Sequence, residues 1–256
     1  MLILIGLGLE TRDISIRGLE AATKASKAYL EQYTTFISDE YTNYLKEKIG
    51  QDIITIGRSE LEEKAKETIK DANAKDVAIL VPGDPLIATT HHATLIDTAR
   101  QMKIKTKVYH ASSIYSAAVG ASGLDVYKFG PPTSIPFWSE NYKPTSFLDL
   151  IKRNLTNDEH TLLLLDLNQK EKRPMMLVEA ITLLKNAEEE KQFDIVDDDL
   201  KLVVLGDVGK DSQDVVYVKI GKIDALKERF NGKLLSLIIP GQLNFAEEDA
   251  LKGLSL

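Results

Sequence analysis

The sequence predicts an α/β protein with two domains, a mostly parallel sheet in the first and a mixed sheet in the second. Short apolar runs alternate with helical patterns up to residue 110, which is typical of a parallel sheet covered by helices. The pattern then changes, because residues 123–145 hold four prolines and the only tryptophan, and their apolar residues show little clear helical or strand period. At 256 residues and 43% hydrophobic content, the chain can bury one or two cores. We expect domains at residues 1–111 and 112–256.

The N-terminal elements follow from local patterns. Ser15 and Ser59 are candidate helix N-caps, the second in a capping box with Glu62. The continuous apolar run VAILV is what a central parallel strand requires. The predicted strands are MLILI (1–5), IITI (53–56), VAILV (77–81) and TKVYH (106–110), and the predicted helices follow residue 15, follow residue 59 and cover residues 90–102.

The C-terminal half contains the same two kinds of signal. Pro174 stands where a helix is expected to begin, and Asn231–Gly232 is expected to end another. The predicted strands are HTLLLLDL (160–167), KLVVLGD (201–207), VVYVKI (215–220) and LLSLIIPG (234–241), and the predicted helices cover 145–155, the region after Pro174, and the region around Ile223, Leu226 and Phe230.

Composition excludes several classes of function. The chain has no cysteine, which removes disulfides, zinc–thiolate sites and cysteine nucleophiles, and which fits a cytoplasmic protein. A net charge of −7 disfavours direct nucleic-acid binding. No apolar run approaches the length of a membrane span. His91 and His92 are neighbours and cannot share a metal as an i,i+4 pair would, so no metal site is expected.

Glycines after the first strand do not complete a known nucleotide motif. Gly6 and Gly8 begin a dinucleotide fingerprint, but Thr11 occupies the position of its third glycine, which disfavours a nicotinamide oxidoreductase. The sequence also lacks a phosphate-binding P-loop and the G-x-S-x-G motif of many hydrolases. The two glycines therefore indicate either tight backbone packing or the close approach of a ligand.

Two later segments follow strand ends, where open α/β sheets bind ligands. In VPGDPLIATTHH (81–92), two prolines flank Gly83 and Asp84, and the proline after it restricts the backbone of Asp84. The aspartate is either a turn acceptor or an acceptor for a ligand. In HASSIYSAAVG (110–120), the hydroxyls could bind a small polar ligand or only cap an alanine-rich helix.

Taken together, these segments resemble the tetrapyrrole methylase superfamily and, within it, the diphthine synthase family. The resemblance covers nearly the whole chain and includes LILIGLGLETRDIS, VAILVPGDPLIATTH, HASSIYSAAVGASGLDVYKFG, YKPTSFLDLI, HTLLLLDL and LSLIIPGQL. It implies an S-adenosylmethionine-dependent methyltransferase with the cofactor in the cleft between two α/β domains. The implied substrate is the amino-carboxypropyl group on a histidine of translation elongation factor 2, an intermediate of diphthamide biosynthesis. The resemblance also implies a homodimer.

The resemblance assigns cofactor contacts, residue by residue, and no catalytic residue. It implies contacts from the motifs above at Leu9, Asp84, Ile87, Ser113, Ile114 and Leu165, and from weaker motifs at Val208 and Leu235. A related sequence has histidine at the position of Leu235, which leaves a backbone contact there. A tetrapyrrole or corrinoid-precursor methylase, and a binding module without turnover, remain alternatives. The aromatic stretch 127–147 is a candidate docking surface for the protein substrate or part of the second core.

Overall fold

The computed structural model describes residues 1–168 and 171–256, and of His92 only the backbone. The chain forms two compact units, Met1–Tyr115 and Ser116–Leu256. Within the described residues, no helix has both the length and the apolar character that a membrane crossing requires.

The first unit contains a five-stranded, fully parallel sheet. Its strands are β1 (Leu2–Gly6), β2 (Lys27–Glu31), β3 (Ile53–Ile56), β4 (Val77–Val81) and β5 (Thr106–Tyr109). Their order in the sheet is β3-β2-β4-β1-β5. Alternate residues of β1 and β4 enter two different apolar clusters, so the central strands are buried on both faces. This confirms the predicted parallel sheet and explains its continuous apolar runs.

Helices connect these strands. They are α1 (Ile16–Lys24), α2 (Asp39–Ile49), α3 (Arg58–Leu61), α4 (Ala65–Ile69) and α5 (Asp97–Gln101), the last preceded by a π-helical turn, His92–Ile96. Ser15 caps α1 as predicted, its Oγ accepting from Gly18 N at 3.0 Å. The Ser59–Glu62 capping box was wrong. The helix begins two residues earlier, where Gly57 N donates to Glu60 Oε2 at 3.0 Å.

The second unit contains a mixed five-stranded sheet. Its strands are β6 (Thr133–Ile135), β7 (Thr161–Leu165), β10 (Lys201–Gly206), β11 (Asp214–Lys219) and β12 (Leu235–Ile239), and a separate pair is formed by β8 (Leu167–Asn168) and β9 (Arg173–Pro174). The order in the five-stranded sheet is β11-β10-β12-β7-β6. Only β6 and β7 are parallel there, and the other pairs are antiparallel. The helices are α6 (Ile114–Ser122), which contains the boundary between the units, α7 (Ser146–Thr156), α8 (Leu177–Lys191) and α9 (Phe245–Lys252).

The helix predicted after Pro174 is present as α8, but its predicted start was wrong, and a second helix in this half differs in type from its prediction. Pro174 lies in β9, and α8 begins at Leu177 because Glu179 accepts from Met176 N at 2.8 Å and thereby caps the helix. The segment Ile220–Leu226 is a 3₁₀ helix rather than the start of a longer α-helix. Strands and loops rather than long helices were expected for residues 123–145, and this is confirmed, since they contain one 3₁₀ turn and β6.

A buried ionic network fixes α9, a helix that the sequence analysis did not predict. Glu247, only 2% exposed, accepts from Asn244 N at 2.8 Å, from Lys128 Nζ at 2.6 Å and from Asp125 N at 3.0 Å. Burial alone would raise the pKa of this carboxyl, but these donors outweigh it and lower the pKa to about 2. His160 Nε2 lies 2.8 Å from Glu247 Oε1, and burial lowers the pKa of this histidine.

Candidate functional site

The carboxyl ends of β4, β1 and β5 lie side by side at one edge of the first sheet. The loops that follow them bring together the five site residues predicted in this unit. These residues are Leu9, Asp84, Ile87, Ser113 and Ile114. This edge is where open parallel sheets bind ligands, so the first unit presents a candidate site in the expected place.

The glycine loops after β1 and β4 pair with each other. Gly8 N donates to Gly83 O at 3.2 Å, and Gly83 N donates to Gly8 O at 2.8 Å. Both glycines have positive φ, +74° and +68°. A Cβ on Gly6 would lie 2.7 Å from Ala111 Cβ and 2.8 Å from Gly83 O. The glycines therefore allow three backbone segments to approach closely, which supports the packing interpretation for Gly6 and Gly8.

Two side chains that the sequence analysis did not identify hold the loop after β1. Asp13 Oδ2 accepts from the backbone N–H groups of Leu9 and Glu10, each at 3.0 Å. From α2, the buried hydroxyl of Tyr41 donates to the carbonyl of Leu7 at 2.8 Å. Burial raises the pKa of Tyr41, with Asp13 adding to the effect, so the phenol stays protonated and remains a donor.

Asp84 is buried, and protein donors surround its carboxylate. The side chain is 5% exposed, and Oδ1 accepts from Leu86 N at 2.9 Å. Oδ2 accepts from Ala111 N at 3.2 Å and lies 2.8 Å from His110 Nδ1. Because a carboxylate oxygen only accepts, His110 makes this bond by donating its Nδ1–H. Asp84 thus ties its own loop to the end of β5, so the structure supports both the local turn role and a long-range one.

The remaining predicted residues of this unit differ in exposure. Ile87 is 44% exposed at the tip of its loop, beside Ala88, whose φ of +56° is unusual for a residue with a side chain. Ser113 is 6% exposed, and its hydroxyl accepts from Tyr115 N at 3.2 Å. Ile114 begins α6. The exposed apolar tip and the serine-capped helix start are the parts of this edge that a ligand could contact.

The second unit brings its three predicted residues to one edge of its own sheet. Leu165 ends β7, Val208 follows β10, and Leu235 begins β12. Leu235 pairs with Gly206, and Asp207 N donates to Leu234 O at 2.8 Å. Since β12 runs antiparallel to both neighbours, its start lies beside their ends. Val208 and Leu235 are buried, at 6% and 7% exposure, so only their backbone groups are suited to polar contacts.

The chemistry of the first edge suits a polar cofactor with an apolar part. Among the described residues, no group of three His, Asp or Glu side chains is placed to hold a metal ion. A Cβ added to Gly83 would meet nothing closer than Ser112 O at 4.0 Å, so a ligand could approach the backbone there. Ser112 is exposed and provides a hydroxyl, while Ile87 provides an apolar surface.

Comparisons with known proteins agree in both sequence and fold. Residues 1–224 match the family model of the tetrapyrrole (corrin/porphyrin) methylases. A diphthine synthase of Methanocaldococcus jannaschii is 41% identical over 255 residues, covering 98% of each chain. One from Methanothermobacter thermautotrophicus is 40% identical over 98% of this chain and 94% of its own. A crystal structure of diphthine synthase superposes with a TM-score of 0.86 at 31% identity, covering 99% of this chain and 95% of the other.

These matches confirm the predicted α/β fold class and the resemblance found in the sequence motifs. The chain belongs to the tetrapyrrole methylase family and, within it, to the diphthine synthases.

Proposed function

We propose that the protein transfers methyl groups from S-adenosylmethionine to the amino-carboxypropyl group on a histidine of translation elongation factor 2, within diphthamide biosynthesis. As a member of its family, it is an S-adenosylmethionine-dependent methyltransferase. The observation that carries the choice of substrate is the match to a diphthine synthase over 98% of both chains. The family name also admits a tetrapyrrole or corrinoid precursor as substrate, and that remains the alternative.

The loops of the first unit are proposed to hold the cofactor. Backbone groups near Leu9 and Asp84 and the hydroxyl of Ser113 suit its polar parts. The exposed side chain of Ile87 and the half-buried side chain of Ile114 suit its apolar surface. In the second unit, the proposed contacts are at Leu165, Val208 and Leu235. When bound, S-adenosylmethionine supplies an electrophilic methyl group on a sulfonium. The residues present fit this group, because the site offers donors, acceptors and an apolar surface without a metal-binding cluster.

Positioning is the main contribution that these residues can make to the rate. Well-oriented reactants reach effective molarities of roughly 10⁵ M or more, and an amine held in line needs no covalent help from the protein. The positive charge on sulfur falls during transfer, so a carboxylate against it would oppose the reaction. Asp84 avoids this because its carboxylate is engaged with Leu86 N, Ala111 N and His110. We assign no general base, and water can take the proton of the substrate ammonium.

The second unit offers a docking surface for the protein substrate. Within the aromatic stretch 127–147, Tyr127 and Tyr142 are 94% and 60% exposed. Phe147 is buried, and Trp138 packs against the core while its Nε1 donates to Pro144 O at 3.1 Å. The exposed tyrosines are therefore the proposed contacts with elongation factor 2. We also propose a homodimer and a cytoplasmic location, the latter supported by the absence of cysteine.

A labelling experiment tests the proposal directly. The protein is incubated with S-adenosylmethionine carrying a labelled methyl group and elongation factor 2 bearing the unmethylated adduct. We expect label on the modified histidine after peptide mapping, and none when the factor lacks the adduct. A corrinoid precursor is offered in a parallel reaction. Label on that precursor and none on the factor would replace the proposed substrate with the alternative.

A further inference from the structure

A buried carboxylate and a buried histidine meet beside the candidate site, and the proposed function uses neither. Glu31 is the last residue of β2 and is 0% exposed, while His91 ends the loop that follows β4 and is 1% exposed. His91 Nε2 lies 3.7 Å from Glu31 Oε2. Since β2 and β4 are neighbours in the sheet, the pair joins the end of one strand to the loop of the next.

The carboxylate of Glu31 is fixed by its own chain. Oε1 accepts from the backbone N–H groups of Tyr33 and Thr34, and Oε2 accepts from Thr34 Oγ1 at 2.6 Å. These bonds keep the carboxylate oriented with Oε2 on the side of His91. Its charge is thus available to the imidazole without any rearrangement of the strand end.

The imidazole of His91 is a polar group at a buried position, where an apolar side chain would cost less free energy to bury. Among the described residues, neither of its ring nitrogens has a hydrogen-bond partner. Burying a polar group without such a partner is unfavourable, and filling space alone would favour a leucine or phenylalanine. The Glu31 carboxylate compensates for part of this cost, because its Oε2 lies 3.7 Å from Nε2 and its negative charge attracts the polar ring.

The loop 82–91 is therefore held at both ends. Asp84 ties its first half to the end of β5 through Ala111 and His110, while His91 meets Glu31 at β2. In the sheet order β3-β2-β4-β1-β5, these attachments lie on opposite sides of β4. Between them lie the exposed Ile87 and Ala88, the latter at a φ of +56°. A tip with this backbone persists only when its surroundings hold it.

We infer that Glu31 and His91 form a buried anchor that positions the tip of the 82–91 loop for binding of the methyl donor. They are positioning residues, because neither contacts a reacting atom. The inference rests on the proposed function in one respect, namely that this loop binds S-adenosylmethionine. Loss of the anchor should weaken donor binding and leave the methyl-transfer step almost unchanged once donor is saturating.

The test compares Glu31→Gln, His91→Phe and the double variant with the wild type. Gln keeps the shape of Glu31 and an acceptor oxygen but loses the charge, and Phe keeps an aromatic ring without nitrogens. We expect each single variant to bind S-adenosylmethionine about tenfold more weakly by calorimetry, with kcat within about threefold of wild type. Hydrogen exchange of amides in residues 86–90 should become faster without ligand. The double variant should be no weaker than either single one, since both remove the same interaction.

A second buried His–Glu pair provides a matched control. His160 and Glu247 lie in the other unit, next to the start of β7 rather than its end, and Glu247→Gln should leave donor affinity unchanged. Donor affinity within twofold of wild type in both Glu31→Gln and His91→Phe would overturn the inference, even if loop exchange became faster. Additive losses in the double variant would also overturn it. Failure of the wild type to bind the donor would instead refute the proposed function. In that case, faster exchange of residues 86–90 in the variants would support the anchor, and unchanged exchange would overturn it.

Discussion

Asp84→Ala tests how far the loop after β4 depends on one carboxylate. The change removes acceptors for two backbone N–H groups, at 2.9 Å from Leu86 and 3.2 Å from Ala111. Each such bond is worth about 1 kcal/mol, and more when the donor is left unpaired. The contact with His110 adds less than about 1 kcal/mol, because that imidazole is 66% exposed. We therefore expect a loss of about 2–3 kcal/mol in the stability of the first unit.

A domain is typically stable by about 5–15 kcal/mol, so the variant should remain folded. The only tryptophan, Trp138, lies in the second unit and does not report on the first. Hydrogen exchange read on peptides from residues 1–115 therefore measures the loss. Calorimetry with S-adenosylmethionine should show affinity reduced at least tenfold, or by about 1.4 kcal/mol. His110→Ala is the control, with a stability loss below about 1 kcal/mol and affinity within about threefold.

Two results would refute this reasoning. Unchanged exchange in Asp84→Ala would mean that the three contacts of the carboxylate contribute nothing net. A stability loss of the expected size with unchanged donor affinity would separate the loop from the cofactor and remove Asp84 from the proposed site.

Three further predictions concern other parts of the chain. Gly8→Ala should lower the free energy of unfolding by about 1–3 kcal/mol, measured by thermal unfolding, and abolish donor binding. The reason is that φ at Gly8 is +74° and the added Cβ would lie 2.3 Å from Asp13 Cβ. The control is Gly120→Ala, where nothing lies within 4 Å of the added Cβ, and it should be neutral or stabilising. Glu247→Gln should cost at most about 3.5 kcal/mol at neutral pH, from a pKa of about 2 against 4.5. Its carboxylate stabilises the fold above pH 4.5 and progressively less as the pH falls towards 2, which urea unfolding followed by Trp138 fluorescence would show. Tyr127→Ala should raise KM for elongation factor 2. It should change the free energy of unfolding by less than about 0.5 kcal/mol, because the side chain is 94% exposed. An unchanged KM would remove Tyr127 from the docking surface.

The strands with continuous apolar runs could be predicted, and those with polar ends could not. VAILV is buried throughout as β4, and the loop that follows it carries Asp84 and Ile87 of the predicted site. β2 was missed because KAYLE is short, begins with lysine and ends with Glu31, which resembles an exposed helix more than a buried strand. The burial of Glu31 depends on donors two and three residues later and on His91, sixty residues away. No local pattern contains that information.

The same limit applies to the contacts that hold the site. Asp84 was identified from its position between prolines, but its partners His110 and Ala111 come from another strand. Tyr41 acts on Leu7 across 34 positions, and neither this contact nor the helix α2 that carries it was predicted from the sequence. Motifs therefore identified the segments at the sheet edge. Which groups fix their geometry follows from the strand order, which the motifs do not encode.

Strand direction in the second unit decides whether its three predicted residues can act together. Leu165 is the last residue of β7 and Val208 follows the end of β10, whereas Leu235 is the first residue of β12. In a parallel arrangement, Leu235 would lie at the opposite edge, about 13 Å away, since a five-residue strand has four steps of about 3.3 Å. The antiparallel pairing of β12 with both neighbours brings it to the same edge. A resemblance that assigns all three positions to one ligand thus already requires a mixed sheet, and the observed topology satisfies that requirement.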